Sequence, residues 1–232
     1  MNLSEAKVII TGGTTGIGYE TAKVLKEKGA QVFICARTTA DVEKATNALG
    51  VQGTTTDVTE PAAVDQLFDT ALKALGGLNV VINNAGIGHF SPLVETSLED
   101  FTKVWEINVK GTFLVGKRAA QHFAKQNHGN LINIASTAAQ KGFANGTAYC
   151  ASKFALAGMT ECWRAELRPH NVRVMQLNPS EVTTPFITKL GFDPTNTDKK
   201  LKPTEIAHTI VSLLAMNNVG FVPEVTVWAT NP

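Results

Sequence analysis

The run Lys7-Val8-Ile9-Ile10-Thr11, closed by Gly12 and followed by Gly16 and Gly18, constrains this chain more than any other stretch. A short apolar run rich in β-branched residues and bounded by glycine reads as a buried strand. An amphipathic run follows at once, with Ile17, Thr21, Val24 and Leu25 on one face. Glycines at such a turn let the backbone approach a ligand closely. The helix start behind them offers free N–H groups and a positive dipole end. Strand, glycine turn and helix together make a cradle for a phosphate. The spacing is G-x-x-x-G-x-G, which differs from the G-x-G-x-x-G fingerprint.

The same alternation continues to the end of the chain. Strands are expected over 31–36, 51–57, 78–83, 129–135, 171–177 and 221–228. Between them, Val64, Leu67, Phe68, Ala71, Leu72 and Leu75 follow helical spacing without a miss. Further helices are expected over 99–125, with Phe101, Val104, Trp105 and Phe113 on the apolar side, and over 149–163 and 204–216. This pattern predicts an α/β Rossmann-type fold: a doubly wound parallel sheet of about seven strands with helices on both faces. Residues 1–232 read as a single dinucleotide-binding and catalytic domain. Within it, 180–203, with Pro185 and Pro194, reads as a mobile lid over the site. Ligands of such sheets bind beyond the carboxyl ends of the strands.

The balance of charge narrows the partners. A net charge of +1, with no block of like charges, argues against nucleic acid or an anionic membrane surface. Cys35, Cys150 and Cys162 lack paired spacing and read as free thiols in a reducing compartment. No signal peptide and no membrane span is expected, and the cytoplasm is the expected location. The five histidines show no metal-ligand spacing, so no metal is expected.

Several polar residues fall where strands end. Tyr149 and Lys153 lie four apart on a helix and so point the same way. An ammonium beside a phenol is expected to lower the phenol's pKa from about 10, toward general acid–base work. Ser136 ends the apolar run 131–135 and can reach the same site. Asn83-Asn84-Ala85-Gly86 suits either loop stabilisation or close approach of a ligand. Asn108 lies among apolar neighbours and either hydrogen-bonds a helix kink or holds a water. At the end of the second strand stand Ala36, Arg37 and Thr38, where an acid would select a free ribose 2′-hydroxyl; a guanidinium suits a 2′-phosphate. His89, Phe90, Phe143, Phe186 and Ile187 fall in loops that should border the site, which suggests a hydrophobic or aromatic carbonyl substrate.

These motifs, in order, resemble the short-chain dehydrogenase/reductases over essentially the whole chain, with similarity to the 3-oxoacyl-[acyl-carrier-protein] reductase-like members. They are the glycine segment 11–18, Asp57-Val58, Asn83-Asn84-Ala85-Gly86, Asn108, Ser136 thirteen residues before Tyr149, and Tyr149-x-x-x-Lys153. The resemblance implies hydride transfer between a nicotinamide and a carbonyl or secondary alcohol. Tyr149 would be the general acid or base, Ser136 the oxyanion partner and Lys153 the group that tunes Tyr149 and binds the nicotinamide ribose. Asn108 would hold a relay water. Cofactor contacts would come from Gly12, Thr14, Thr15, Gly16, Ile17 and Gly18, and from Arg37, Thr38, Asp57 and Val58. Asn84, Ala85, Gly86, Tyr149, Lys153, Pro179, Val182 and Thr184 would complete them. The substrate would meet Ser136, Tyr149, His89, Phe143 and Phe186. In the family, a basic residue directly after the second strand goes with NADP, so NADP(H) is expected over NAD(H). A homodimer or homotetramer is expected.

Two departures stand out: Pro179-Ser180 where the family has Pro-Gly, and a C-terminus without the Val-Asp-Gly-Gly type turn of many 3-oxoacyl reductases. Two further readings stand beside the leading one. One is a 3-oxoacyl-[acyl-carrier-protein] reductase, for which Lys189, Lys199, Lys200 and Lys202 would meet the carrier. The other is a non-catalytic NADP-binding regulator.

Overall fold

A computed structural model describes residues 1–189 and 197–231. Seven parallel strands form one sheet in the order β3-β2-β1-β4-β5-β6-β7. They are β1 (Lys7–Thr11), β2 (Gln31–Ala36), β3 (Gln52–Thr55), β4 (Val80–Asn83), β5 (Gly129–Ile134), β6 (Val172–Pro179) and β7 (Glu224–Val227). The order reverses between β3 and β4 across β1, which opens a crevice at the carboxyl ends of β1 and β4.

Successive side chains of a strand face opposite ways, and this alternation builds two cores. Val8, Ile10, Val32, Ile34, Val80, Ile82 and Met175 bury against α1 (Gly16–Glu27) and α8 (Pro203–Ala215). Ile9, Phe33, Val81, Leu131 and Val174 bury on the other face, against α3 (Pro61–Leu75) and α5 (Thr112–Gln126). Helices thus cover both faces of the sheet. The remaining helices are α2 (Thr39–Leu49), α4 (Leu98–Trp105), α6 (Thr147–Leu167) and the short α7 (Pro185–Lys189).

Some elements differ from their sequence reading. The helix expected over 99–125 is α4 and α5 joined by a π-helical segment, Glu106–Gly111, with Asn108 buried inside it. Trp105 and Phe113 are 40% and 43% exposed, so the side taken as apolar is not all turned to the core. The third strand stops at Thr55, and Asp57 begins a turn in which its Oδ1 accepts from Thr59 N (2.9 Å) and Oγ1 (2.8 Å). The last strand spans only Glu224–Val227. Of the lid, Pro194 and the side chain of Lys189 lie outside the described residues. Its two stems meet through a parallel bridge, Val182 to Leu201, and a Lys200–Glu181 ion pair of 2.6 Å.

Candidate active site

The glycine turn is built for close backbone contact. Gly12 and Gly16 have φ of +63° and +55°, which side chains rarely adopt. A Cβ on Gly18 would lie 2.3 Å from the Gly12 carbonyl oxygen and 2.5 Å from Asn84 Nδ2, so only glycine lets α1 start this close to β1. Asn84 locks the turn to the end of β4. Its Nδ2 donates to the carbonyls of Thr11 and Gly12, both at 3.0 Å, while Asn84 N and Ala85 N donate to Thr11 Oγ1. Of the two alternatives for the 83–86 segment, loop stabilisation is seen at Asn84, while Ala85 and Gly86 line a cavity. Thr15 precedes α1 without capping it through its side chain, so the first N–H groups face outward from the turn.

That cavity runs along the ends of the first four strands. It is lined by Gly12, Ala36, Arg37, Asp57, Val58, Ala85 and Gly86, and also by Cys35, Thr56, Ile87 and Ile107. Sequence reasoning passed over these last four, whose only signal is adjacency to the motif residues. Arg37 is exposed at the rim, and among the described residues it pairs with no carboxylate. Thr38, also exposed, precedes α2. Thr14 is partly buried and Ile17 packs on the core. Thr184 methyl carbon Cγ2 would touch a Cβ on Gly16 at 3.3 Å, and Pro179 and Val182 are buried beside it in β6 and the lid stem. The lid therefore starts directly over the glycine turn.

Asn108 joins the cavity to α6. Its Oδ1 accepts from Ile87 N at 2.8 Å, and its Nδ2 donates to Ile87 O at 2.8 Å and to Ser152 Oγ at 3.0 Å. Ser152 in turn donates to the Tyr149 carbonyl at 2.7 Å. Both amide hydrogens are engaged, so the side chain serves the kinked helix and its neighbours. Ser136, Tyr149 and Lys153 converge next to it. Ser136 Oγ accepts from Ala138 N at 3.1 Å, which leaves its proton free to donate, and its hydroxyl is close enough to the Tyr149 phenol to draw the phenol's pKa down. Lys153 Nζ is buried, donates to Ile134 O at 3.0 Å and lies 5.6 Å from the centre of the Tyr149 ring.

The expectation that Lys153 lowers the Tyr149 pKa is not met. Burial pushes the phenol up to about 12, with the Ser136 hydrogen bond pulling weakly the other way. Tyr149 keeps some surface exposure as a whole residue, but the protein crowded around its hydroxyl disfavours the anion. Burial lowers Lys153 to about 8. Two groups on one helix face share the desolvation, and it opposes the charge of each.

An aromatic group surrounds the phenol. Phe90 meets the Tyr149 ring edge-on at 5.3 Å, Phe186 lies at 5.9 Å, and Phe143 packs on Phe90 at 5.6 Å. His89 sits beside them, with Nε2 3.0 Å from Ser91 Oγ and Nδ1 3.7 Å from Asp100 Oδ1. Among the described residues no group of three His, Cys, Asp or Glu is placed to hold a metal, and no helix is long and apolar enough to cross a membrane.

The short chain dehydrogenase family profile matches residues 6–194. An uncharacterized oxidoreductase of Staphylococcus aureus is 32% identical over 228 residues, covering 97% of each chain. A crystal structure of a 3-ketoacyl-(acyl-carrier-protein) reductase from Brucella melitensis, complexed with NADH, superposes with a TM-score of 0.90 at 27% identity over 96% of each chain. The structure described as ElxO with NADP bound superposes at 0.87, with 25% identity over 96% of each chain.

Proposed function

Because the chain belongs to the short-chain dehydrogenase/reductase family of oxidoreductases, we propose that it is an NADPH-dependent carbonyl reductase with Tyr149 as its general acid. The observation that carries this reading is the convergence of Ser136, Tyr149, Lys153 and Asn108 at the strand ends next to the cavity. When bound, the nicotinamide supplies hydride to the substrate carbonyl carbon. The residues fit such a cofactor. The uncapped start of α1 with Gly12, Thr14, Thr15, Gly16, Ile17 and Gly18 would take its phosphates, and Asp57 and Val58 the adenine end. Asn84 would hold the turn, with Ala85, Gly86, Pro179, Val182 and Thr184 completing the wall. Arg37, paired with no carboxylate among the described residues, and Thr38 would bind a 2′-phosphate, which supports NADPH over NADH.

The protein's own part is proton transfer and charge stabilisation. A phenol held near 12 keeps its proton at neutral pH, so Tyr149 is ready to give it to a developing alkoxide, and this favours the reductive direction. Ser136 donates its free proton to the same oxygen. Lys153 places an ammonium 5.6 Å from the centre of the Tyr149 ring, and it would also hold the nicotinamide ribose. Asn108 positions Tyr149 through Ser152.

A 3-oxoacyl thioester as substrate draws support from the similarity to the 3-ketoacyl-(acyl-carrier-protein) reductase of Brucella melitensis. Against it, Lys200 is tied to Glu181 and so withdrawn from any acidic carrier. A regulator without chemistry would have no use for Ser136, Tyr149 and Lys153 together. Trp105, Phe113 and Phe154, on packed helical segments and 40%, 43% and 47% exposed, support a homodimer or homotetramer. The undisulfided Cys35, Cys150 and Cys162 agree with the cytoplasm.

The test is NADPH and NADH oxidation with wild type, Arg37→Ala and Tyr149→Phe. Arg37→Ala should weaken NADPH far more than NADH. Tyr149→Phe should bind NADPH and turn over nothing. Equal losses for both cofactors would overturn the NADPH assignment, and an active Tyr149→Phe would overturn the role of the phenol.

A further inference from the structure

We infer that the side of the site facing Tyr149 is an aromatic box that selects uncharged aryl carbonyl compounds, with Phe90, Phe143 and Phe186 as its specificity-determining residues. The inference rests on the carbonyl reductase reading and names the substrate class within it.

The three rings come from three separate parts of the chain. Phe90 lies on the segment after β4, Phe143 on the segment between β5 and α6, and Phe186 on α7 of the lid. Phe90 is the joint of the group: it meets Tyr149 edge-on at 5.3 Å and Phe143 at 5.6 Å, while Phe186 reaches Tyr149 from the lid at 5.9 Å. Rings at these separations attract one another and a further ring in the same way, through edge-to-face and offset contacts.

The arrangement is held by the backbone, so it is more than a collapse of apolar side chains. Ser91 N donates to the Asn145 carbonyl at 3.0 Å, which clamps the Phe90 segment to the Phe143 segment. Asn145 turns the chain there with φ of +66°. A Cβ on Gly146 would lie 2.7 Å from the Phe143 ring and 2.9 Å from Cys150 Sγ, so a glycine is what allows Phe143 to fold back over the start of α6. Phe143 is still 52% exposed and forms the outer rim. Apart from the Lys153 ammonium behind the phenol, two charged groups of the neighbouring segments already have partners among the described residues. His89 engages Ser91 and Asp100, and Glu181 engages Lys200. The three phenylalanines themselves offer a charged group on the substrate no partner. An aryl ring would find three.

The test uses two ketones of equal carbonyl reactivity, phenylacetone and cyclohexylacetone, with acetoacetyl thioester as a third arm. Their dissociation constants are measured calorimetrically with the protein and oxidised NADP, where no turnover occurs, and their kcat/KM with NADPH. Phenylacetone should be favoured over cyclohexylacetone by roughly two- to tenfold for each aromatic contact it makes. Phe90→Leu and Phe186→Leu keep the apolar volume and should bring that ratio toward one, with NADPH binding serving to confirm the fold. Equal binding and turnover of the two ketones, or a preference for the thioester, would overturn the aryl assignment and leave the reductase reading standing. NADPH that binds but is oxidised by no carbonyl of any arm would overturn both.

Discussion

Lys153 Nζ lies 5.6 Å from the centre of the Tyr149 ring, yet it donates to the Ile134 carbonyl at 3.0 Å and leaves the phenol held near 12 by burial. The group that titrates near neutral pH is therefore the lysine, lowered to about 8 by its own burial. The ammonium is present below that value and lost above it. If the charge supports binding and proton delivery, kcat/KM for NADPH, which reports the free enzyme, should be level below about pH 8 and fall above it. A profile flat from pH 6 to 10 would show that Lys153 does not act through its charge.

The same burial weakens the fold. The folded pKa lies below the ordinary 10.5, so between about 8 and 10.5 the unfolded chain binds the additional proton, and stability rises with pH across that window. Below it, the fold carries a buried charge. Lys153→Met removes the charge with little change in volume. It should raise the unfolding free energy at pH 7 by roughly 1–3 kcal/mol, while turnover is lost. Urea unfolding at pH 7 and at pH 10 measures this, and the gain should shrink at the higher pH. A destabilised variant at pH 7 would mean that the Ile134 hydrogen bond outweighs desolvation.

Asn108 has two tasks that variants can separate. Asn108→Ala strips partners from Ile87 N and O as well as from Ser152, at a cost of roughly 2–4 kcal/mol in stability. Ser152→Ala leaves the Ile87 bonds intact and removes the two bonds of the Ser152 hydroxyl, from Asn108 Nδ2 and to the Tyr149 carbonyl. It should lose about 1 kcal/mol of stability and lower kcat with little change in the KM for NADPH. An unchanged kcat in Ser152→Ala would show that Asn108 serves the fold alone.

The strand–helix alternation was legible because period-two and period-3.6 patterns are written by residues on the two buried faces, Val8 and Ile10 against Ile9 for instance. What those patterns cannot carry was missed. Helix α2 buries only Val42 and Ala45, too few to write a stripe. The π-helical turn at Glu106–Gly111 shifts the register inside a pattern that otherwise runs on. Helical spacing placed Tyr149 and Lys153 on one face, as found, but spacing says nothing of the depth to which a face is buried. The pKa direction for Tyr149 depends on that depth. The clamp between Ser91 and Asn145 joins residues 54 apart in sequence and leaves no local signal.

Two glycines distinguish close approach from backbone conformation. Gly18→Ala would place a methyl 2.3 Å from the Gly12 carbonyl oxygen, so α1 or the turn must move. NADPH affinity should drop at least tenfold. Gly50, which ends α2 at φ +62°, has nothing within 4 Å of its Cβ position. Gly50→Ala should cost about 1–2 kcal/mol from the left-handed conformation alone and leave NADPH affinity unchanged. Fluorescence titration with NADPH beside thermal unfolding separates the two. Equal affinity losses would mean that the turn is not the phosphate cradle.

Ser180 follows Pro179, where the family resemblance implies glycine, and it needs none of glycine's freedom. Among the described residues its φ is not positive, and its N–H donates to the Val227 carbonyl at 2.9 Å, extending the pairing of β6 with β7 into the lid stem. Two residues on, the Val182–Leu201 bridge and the Thr183 N to Leu201 O bond of 2.7 Å join that stem to its return. A stem pinned at these points fixes where α7 begins, and hence where Phe186 meets Tyr149. Ser180→Gly adds freedom to the unfolded chain and to the stem, so it should lower stability by roughly 0.5–1 kcal/mol. Amide hydrogen exchange at Ser180 and Thr183 should quicken, and the KM for the carbonyl substrate should rise severalfold with kcat less affected. Unchanged exchange at both amides would mean that the stem is held by the Val182–Leu201 bridge and the Lys200–Glu181 pair, with no contribution from the serine.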